Sequence, residues 1–428
     1  YFHHLWGLSS GCYFLIFRIL KNLWTLGISA CKWKIYNSCK ELVAIYRSMK
    51  KELTIIETVA ELEAAIKKVN SNKYYFKFDK HQFDCDVILF NMKLIKLNNC
   101  VFNKRFKATG TVAYDAEIKN VEFHDVCDFT KLTFSKKIRF HGTHFLGKVR
   151  FDNTIFNDLA DFYSATFHKP TIFFKTDFLS RTVFSAARFK ENALFTYTLI
   201  QDHLILRGTI FEKGIDLSLS ILSGTVNLFG LKVPDFESVK DIVEEDLYEK
   251  AVCVNGIIPH KNQRETFRIL KKELQNQGNA IDALYMAAKE KTAYSKQLKS
   301  DRKLKIGKWY RRTQNRVILY LGKVSNSHGE SWTKGVGFTL GVGLLFFYLS
   351  LINTEKYYFT LNPNDYSWAA FTEGFNHYFE FLLPTHKFDY LDDLRPEALF
   401  KFWDFTGRIF VSFGIYQTVV AFRKYQIK

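Results

Sequence analysis

"FDNTIFNDLADFYSATF", Phe151 to Phe167, places its phenylalanines at 151, 156, 162 and 167, in steps of five, six and five. An α-helix repeats its apolar face about every 3.6 residues and a strand every second residue. Neither period fits. Extended outward, the steps give Phe123, Phe129, Phe134, Phe140 and Phe145 on one side, and Phe173, Phe178, Phe184, Phe189 and Phe195 on the other. They continue through Ile200, Leu206, Phe211, Leu217, Leu222 and Leu228, and no rung is polar. The residue two places before a rung is also restricted: apolar, as at Cys127, Ile138, Val149 and Ala160, or a small hydroxyl residue, as at Thr143, Thr154 and Ser220. None of these carries a charge. Two inward positions per short unit, repeated along the chain, are a repeat signature. Each unit forms one short side of a coil and turns a corner. A single coil cannot bury its rings, so stacking at the roughly 4.8 Å spacing of neighbouring strands supplies the core.

These residues resemble the pentapeptide-repeat proteins, in the variant with alternating five- and six-residue spacing. The resemblance implies a right-handed quadrilateral β-helix (a pentapeptide-repeat solenoid) in which two eleven-residue units make one coil. About five coils would give a rod roughly 25 Å tall. The solenoid is expected over 71–233, with "NNCVFNKRFKATGTVAYDAEIKNVEF", Asn98 to Phe123, as a degenerate first coil.

The chain has 428 residues, more than one ordinary domain, and its bases exceed its acids by 18. Seven cysteines are scattered without CxxC pairs or adjacent histidine clusters, which argues for free thiols and against a zinc site or a disulfide framework. No Walker loop, GxSxG or HExxH is present, so neither an enzyme nor a cofactor is expected. Some pentapeptide-repeat proteins mimic DNA. That task needs a strongly acidic rod, which this is not, and no nucleic-acid partner is expected. Residues 1–70 read as an α-helical N-terminal region. Within it, "YFHHLWGLSSGCYFLIFRILKNLW" is rich in aromatics, and Arg18 and Lys21 interrupt the apolar run. An amphipathic helix in a membrane interface fits this best, with a packed soluble helix and a true span as alternatives. "TIIETVAELEAAIKKV", from Thr54, reads as a helix that Thr58 can cap, with Glu61 three residues on.

After Pro234 the pattern becomes helical. Residues 234–300 form a hairpin connector whose two apolar-periodic runs are separated by Gly278. Phe267, Leu270 and Leu274 are expected to face Ile281, Leu284 and Tyr285. Residues 301–334 are a basic juxtamembrane segment, for which the lipid bilayer and its anionic headgroups are the expected partner. In 335–428, "GVGFTLGVGLLFFYLSLI", Gly335 to Ile352, is an uncharged 18-residue span candidate. Its glycines Gly335, Gly337, Gly341 and Gly343 suit close helix contacts in lipid. Trp403 to Phe422 is the second span. Eight acids stand against four bases between the spans, while bases flank their outer ends. The positive-inside rule then places the solenoid and both termini in the cytoplasm.

Between the spans, "WAAFTEGFNHYFEFLLPTHKFDYL" repeats Trp368, Phe371, Phe375, Tyr378, Phe379 and Leu382 at helical spacing until Pro384. A re-entrant helix over 368–384 between two spans is the layout of a two-helix pore module. A surface helix resting on the membrane is the alternative. "FRILKKELQNQG", Phe267 to Gly278, and "SNSHGESWTKGVGFTL" are similar to the hairpin and span approach of bacterial pentapeptide-repeat membrane proteins with a C-terminal two-helix ion-channel-like pore domain. The resemblance implies an oligomeric channel, a homotetramer in the bacterial inner membrane, with a cytoplasmic solenoid that senses a signal or docks a protein partner. A non-conducting scaffold presenting the solenoid is the alternative. Potassium-selective relatives carry a glycine–tyrosine–glycine filter after the pore helix. This chain has "LLPTHKFDY" there, so that carbonyl geometry is not implied.

If the chain conducts, the candidate residues can be named. Glu373 and Glu380 are seven apart, on one helical face, and could form charge rings in an oligomer. Thr385, His386 and Lys387 follow Pro384 where a filter would sit. Arg408 stands four residues from Asp404 and can pair with it. Gly414 would let the second span bend or pack closely.

Overall fold

The computed structural model describes residues 53–69, 73–300, 306–354, 368–388, 390–391 and 398–423. Residues 1–52, which include the expected interfacial helix, lie outside these.

The five-and-six spacing is the geometry of a four-sided coil. Each rung ends or follows a strand of two or three residues, and every pairing between coils is parallel. His144 pairs with Thr166, Thr166 with Arg188 and Arg188 with Ile210, a step of 22 residues each time. One circuit runs through four short sides at 122–123, 127–128, 132–134 and 138–139. Earlier in the rod, two sides are joined by one bent strand, Phe106–Val112, which pairs with 127–128 before the corner and 132–134 after it. The bend is at Gly110, whose φ is +86°. A Cβ there would strike the Asn91 side chain, so glycine is required both for conformation and for space.

Stacking turns the ladder into columns of rings. Phe102, Phe123, Phe145, Phe167, Phe189 and Phe211 form one column, with successive centroids 4.5–5.4 Å apart. Phe129, Phe151, Phe173 and Phe195 form a second, and Phe140, Phe162 and Phe184 a third. The ring separation matches the strand separation, so each ring is covered by the equivalent ring above and below. All are buried. Each contributes about 1.5–3 kcal/mol from burial, with further gain from ring–ring contact.

The threonines that alternate with apolar residues before the rungs have a definite task. Thr143, Thr154, Thr176, Thr198 and Thr209 are fully buried, and each hydroxyl donates to a carbonyl 25 residues earlier. That carbonyl belongs to the previous coil, so a side chain completes the corner where strand bonds stop.

The rod is taller than the sequence reading expects. It has about seven turns over residues 54–228, rather than about five. The first strand is Thr54–Ile56, which pairs with His81–Phe83, so 54–56 is not helical. Helix α1 (Val59–Val69) is an excursion between them. Its cap is as expected: Thr58 Oγ1 accepts from Glu61 N at 3.2 Å. The early turns were hidden because their strands are longer. Tyr75–Asp79 and Leu94–Asn98 bury alternate residues, Phe76 and Phe78, then Ile95 and Leu97. That is ordinary period-two patterning, without the five-six ladder.

The far end of the rod is closed by helices. After α2 (Glu245–Glu249), α3 (His260–Asn276) lays its first turns on the last coils. Asn262 donates to Asp216 Oδ2 at 2.8 Å, and Thr266 Oγ1 accepts from the backbone of Leu217 at 2.9 Å. An open coil end would otherwise present unpaired strand groups. Gly278, at φ +71°, terminates α3 in the left-handed conformation, and α4 (Ala280–Ser300) returns alongside. Phe267, Leu270 and Leu274 are buried as expected, but Ile281, Leu284 and Tyr285 are not. Ala283, Met286 and Ala293 face inward instead. Small residues let α4 approach closely, and that contact sets a helix rotation different from the one its larger apolar residues suggest.

Helix α5 (Ile306–Asn326) carries the basic segment and is tied to α4: Asn315 Nδ2 donates to Tyr294 Oη at 3.1 Å. A short turn, Ser327–Gly329, leads to α6 (Trp332–Leu351), α7 (Trp368–Phe381) and α8 (Ala398–Arg423).

Candidate functional site: the polar centre of the helix pair

Helices α6 and α8 are long and apolar enough to cross a membrane, and only 22% of each apolar window is covered by the rest of the chain. The core helix of a soluble protein would be mostly covered. Leu344, Leu345, Phe402, Phe405, Ile409, Tyr416 and Val419 all point outward. Exposed apolar surface of this extent is where contacts with a membrane or a protein form.

The two helices run antiparallel and meet through small residues. Gly335 lies against Thr418, and Gly414 against Thr339. Each threonine hydroxyl donates to a glycine carbonyl in its own helix, Thr339 to Gly335 and Thr418 to Gly414. The glycines remove bulk and the hydroxyls are satisfied internally, so the backbones approach with no unpaired group. A Cβ at Gly335 would stand 2.6 Å from Thr418 Oγ1. Gly343 and Gly407 likewise admit Leu382 and Phe381. Gly337 and Gly341 meet nothing within 4 Å. Of the four glycines read in the first span, two therefore make the close contacts. Gly414 stands in close contact with Thr339 of α6.

Helix α7 packs on α6: Tyr378 Oη donates to Leu340 O at 2.7 Å, and Phe381 is completely buried. The helix stops at Phe381, just before Pro384, as its sequence demands. The chain then turns inward. His386 is buried, with Nε2 2.7 Å from Asp404 Oδ2 and Nδ1 2.7 Å from Leu383 O. Asp404 has no exposed surface, and its other oxygen accepts from Arg408 Nε at 2.7 Å. The Arg408 guanidinium lies over the Phe388 ring, 4.2 Å from its centroid, and its Nη2 is buried with no partner among the described residues.

Each ring nitrogen of His386 thus meets an oxygen, and Asp404 is held from two sides, by His386 and by Arg408. Ionisable groups at this depth in apolar helices are costly, and where they occur they mark function.

The sequence-derived site residues divide accordingly. Glu373, Glu380, Thr385 and Lys387 are exposed. Glu373 lies 3.9 Å from His377, whose Nδ1 is buried without a hydrogen bond among the described residues. Arg408 pairs with Asp404 as its spacing predicts. His386 does not stand with its neighbours at the surface: it points into the subunit and latches the loop to α8. The reason is electrostatic, since Asp404 inside apolar packing needs a second donor and His386 supplies it. Sequence spacing could not reveal this pairing, because 18 residues of loop and helix separate the two. Among the described residues no group of three or more histidines, cysteines or acids is placed to hold a metal.

The family model for pentapeptide repeats (9 copies) matches residues 118–166 and 129–177, inside the rod. No curated protein and no solved structure matches the chain. The rod is thus a pentapeptide-repeat solenoid, an architecture that is typically non-enzymatic.

Proposed function

We propose that the chain is one subunit of an oligomeric membrane channel, most simply a tetramer in a bacterial inner membrane. The solenoid and both termini lie on the cytoplasmic side. The observation that carries this reading is the uncovered apolar surface of α6 and α8. With α7 packed between loop and span, two helices cannot enclose a water-filled path, so copies must do so together. Glu373, Glu380, Thr385 and Lys387, all exposed on or just after α7, are the groups that could meet around an axis. The bases of α5 then rest against anionic headgroups.

A non-conducting anchor that presents the solenoid to a protein is the second reading. It is favoured by one specific observation, that His386 of the loop after α7 is bonded to Asp404 and so turned into the subunit.

Particle symmetry separates the two. The channel reading expects a closed ring in detergent with α8 around the axis, and ion flux after reconstitution into liposomes. Glu380→Gln and Lys387→Gln should each change ion preference. Single copies, or liposomes without flux, leave only the anchor; currents untouched by both substitutions remove Glu380 and Lys387 from the conduction path.

A further inference from the structure

A cavity of about 340 Å³ lies where three parts of the molecule meet: the end of the rod, the α3–α4 hairpin and the turn between α5 and α6. Its walls carry Lys289, Lys296, Lys323 and His328 against two acids, Asp235 and Glu330. Lys289 is almost wholly buried, donates to Val233 O at 3.1 Å and pairs with Asp235 at 2.9 Å. Its ammonium also sits 4.5 Å from the Tyr285 ring centroid. Lys296 and Lys323 make no ion pair among the described residues. Burial, then Lys291 and Lys323, push the His328 imidazole down to about 4, as expected in a confined positive field.

We propose that this cavity is a binding site for a phosphate or diphosphate group. Lysine ammoniums suit such a group as point charges. Lys289 is matched by Asp235, while the several oxygens of a phosphate can meet the two separated ammoniums of Lys296 and Lys323 together. The turn that forms one wall has three successive residues at positive φ, Ser327, His328 and Gly329. It is held by Asn326, which accepts from Gly329 N and donates to Gln417 on α8. An anion in the cavity would therefore bridge the cap of the rod to the turn that is bonded to the helix pair. This regulatory role rests on the membrane reading above, but binding itself does not, so the two fail separately.

The group could belong to a soluble metabolite or to a lipid headgroup, and the test distinguishes these. The full chain in neutral detergent is titrated by calorimetry with inorganic pyrophosphate, dihexanoyl phosphatidylglycerol and dihexanoyl phosphatidylcholine. Saturable binding of pyrophosphate, weakened about tenfold by Lys296→Gln and by Lys323→Gln, assigns a free phosphate. The same pattern with phosphatidylglycerol, absent for phosphatidylcholine, assigns a headgroup. In either case Lys136→Gln, on the exposed side of the rod, should bind as the parent does, and added salt should weaken binding. Both lysine substitutions avoid the buried Lys289, so the fold is retained. If neither anion binds, or binding ignores Lys296 and Lys323, the proposal is overturned.

Discussion

In the rod the deepest side chains are rings, as in the column Phe129, Phe151, Phe173 and Phe195. In the α6–α8 pair Asp404 and His386 lie just as deep, while leucines, phenylalanines and isoleucines face outward. The two regions use a similar chemical inventory turned inside out. The rod completes its own core, because each coil covers the next. The helix pair does not, and its stability depends on what surrounds it. The same residue type should therefore matter very differently in the two places.

The largest expected contrast is between a buried ring in the rod and an outward apolar side chain on α6. Phe162→Ala, in the middle of the stack, removes a fully buried side chain and should lower the stability of the full chain by about 4 kcal/mol. Leu344→Ala, on the outward face of α6, should cost less than about 1 kcal/mol in detergent. Thermal unfolding followed by circular dichroism reads both. Comparable losses would mean that the helix face is covered by protein, which would break the contrast.

Next comes the buried charge. Asp404→Leu leaves His386 and Arg408 without their acceptor, and removing one member of such a cluster costs about 3 kcal/mol. Limited proteolysis should then cut the loop after α7 faster than in the parent. A loop cut no faster would show that the latch is not what holds it.

A smaller effect, about 2 kcal/mol, is expected for Gly414→Val, because the added bulk meets Thr339. Gly337→Val, with no neighbour within 4 Å, should be neutral in a single subunit. If Gly337→Val instead disrupts a purified oligomer, that glycine lies at a contact between copies.

The smallest effect is a pH dependence of the rod. Burial first, then Lys190 and His144, push the His168 imidazole down to about 4 from the ordinary 6.5. The folded state resists protonation that the unfolded chain accepts. The contribution is complete above pH 6.5 and is lost as pH falls to about 4. The site is partly exposed, so the loss is roughly 1 kcal/mol or less. His168→Gln should flatten the melting temperature across that window, and an unchanged slope would place the acid sensitivity elsewhere.

The five-six ladder made the central turns legible, since each rung is a purely local requirement repeated at fixed spacing. The first turns were not legible, because Phe76, Phe78, Ile95 and Leu97 follow the period of any half-buried strand. The two long apolar helices could be read from the length of their uncharged runs alone. The site was half legible. The Asp404–Arg408 pair lies within one helical turn and follows from spacing. The direction of His386 does not, because a loop residue points wherever its best partner is.

By itself, the sequence determined a stacked coil with rings inside, two apolar helices and a glycine-ended hairpin, since each follows from interactions between residues close in the chain. Only the tertiary structure decided that His386 turns inward to Asp404, that α4 presents alanines to α3, and that lysines from separate helices line one cavity. Those outcomes depend on which distant groups share a buried volume, and the cost of leaving a charge or a bulky residue unmatched there is settled in three dimensions.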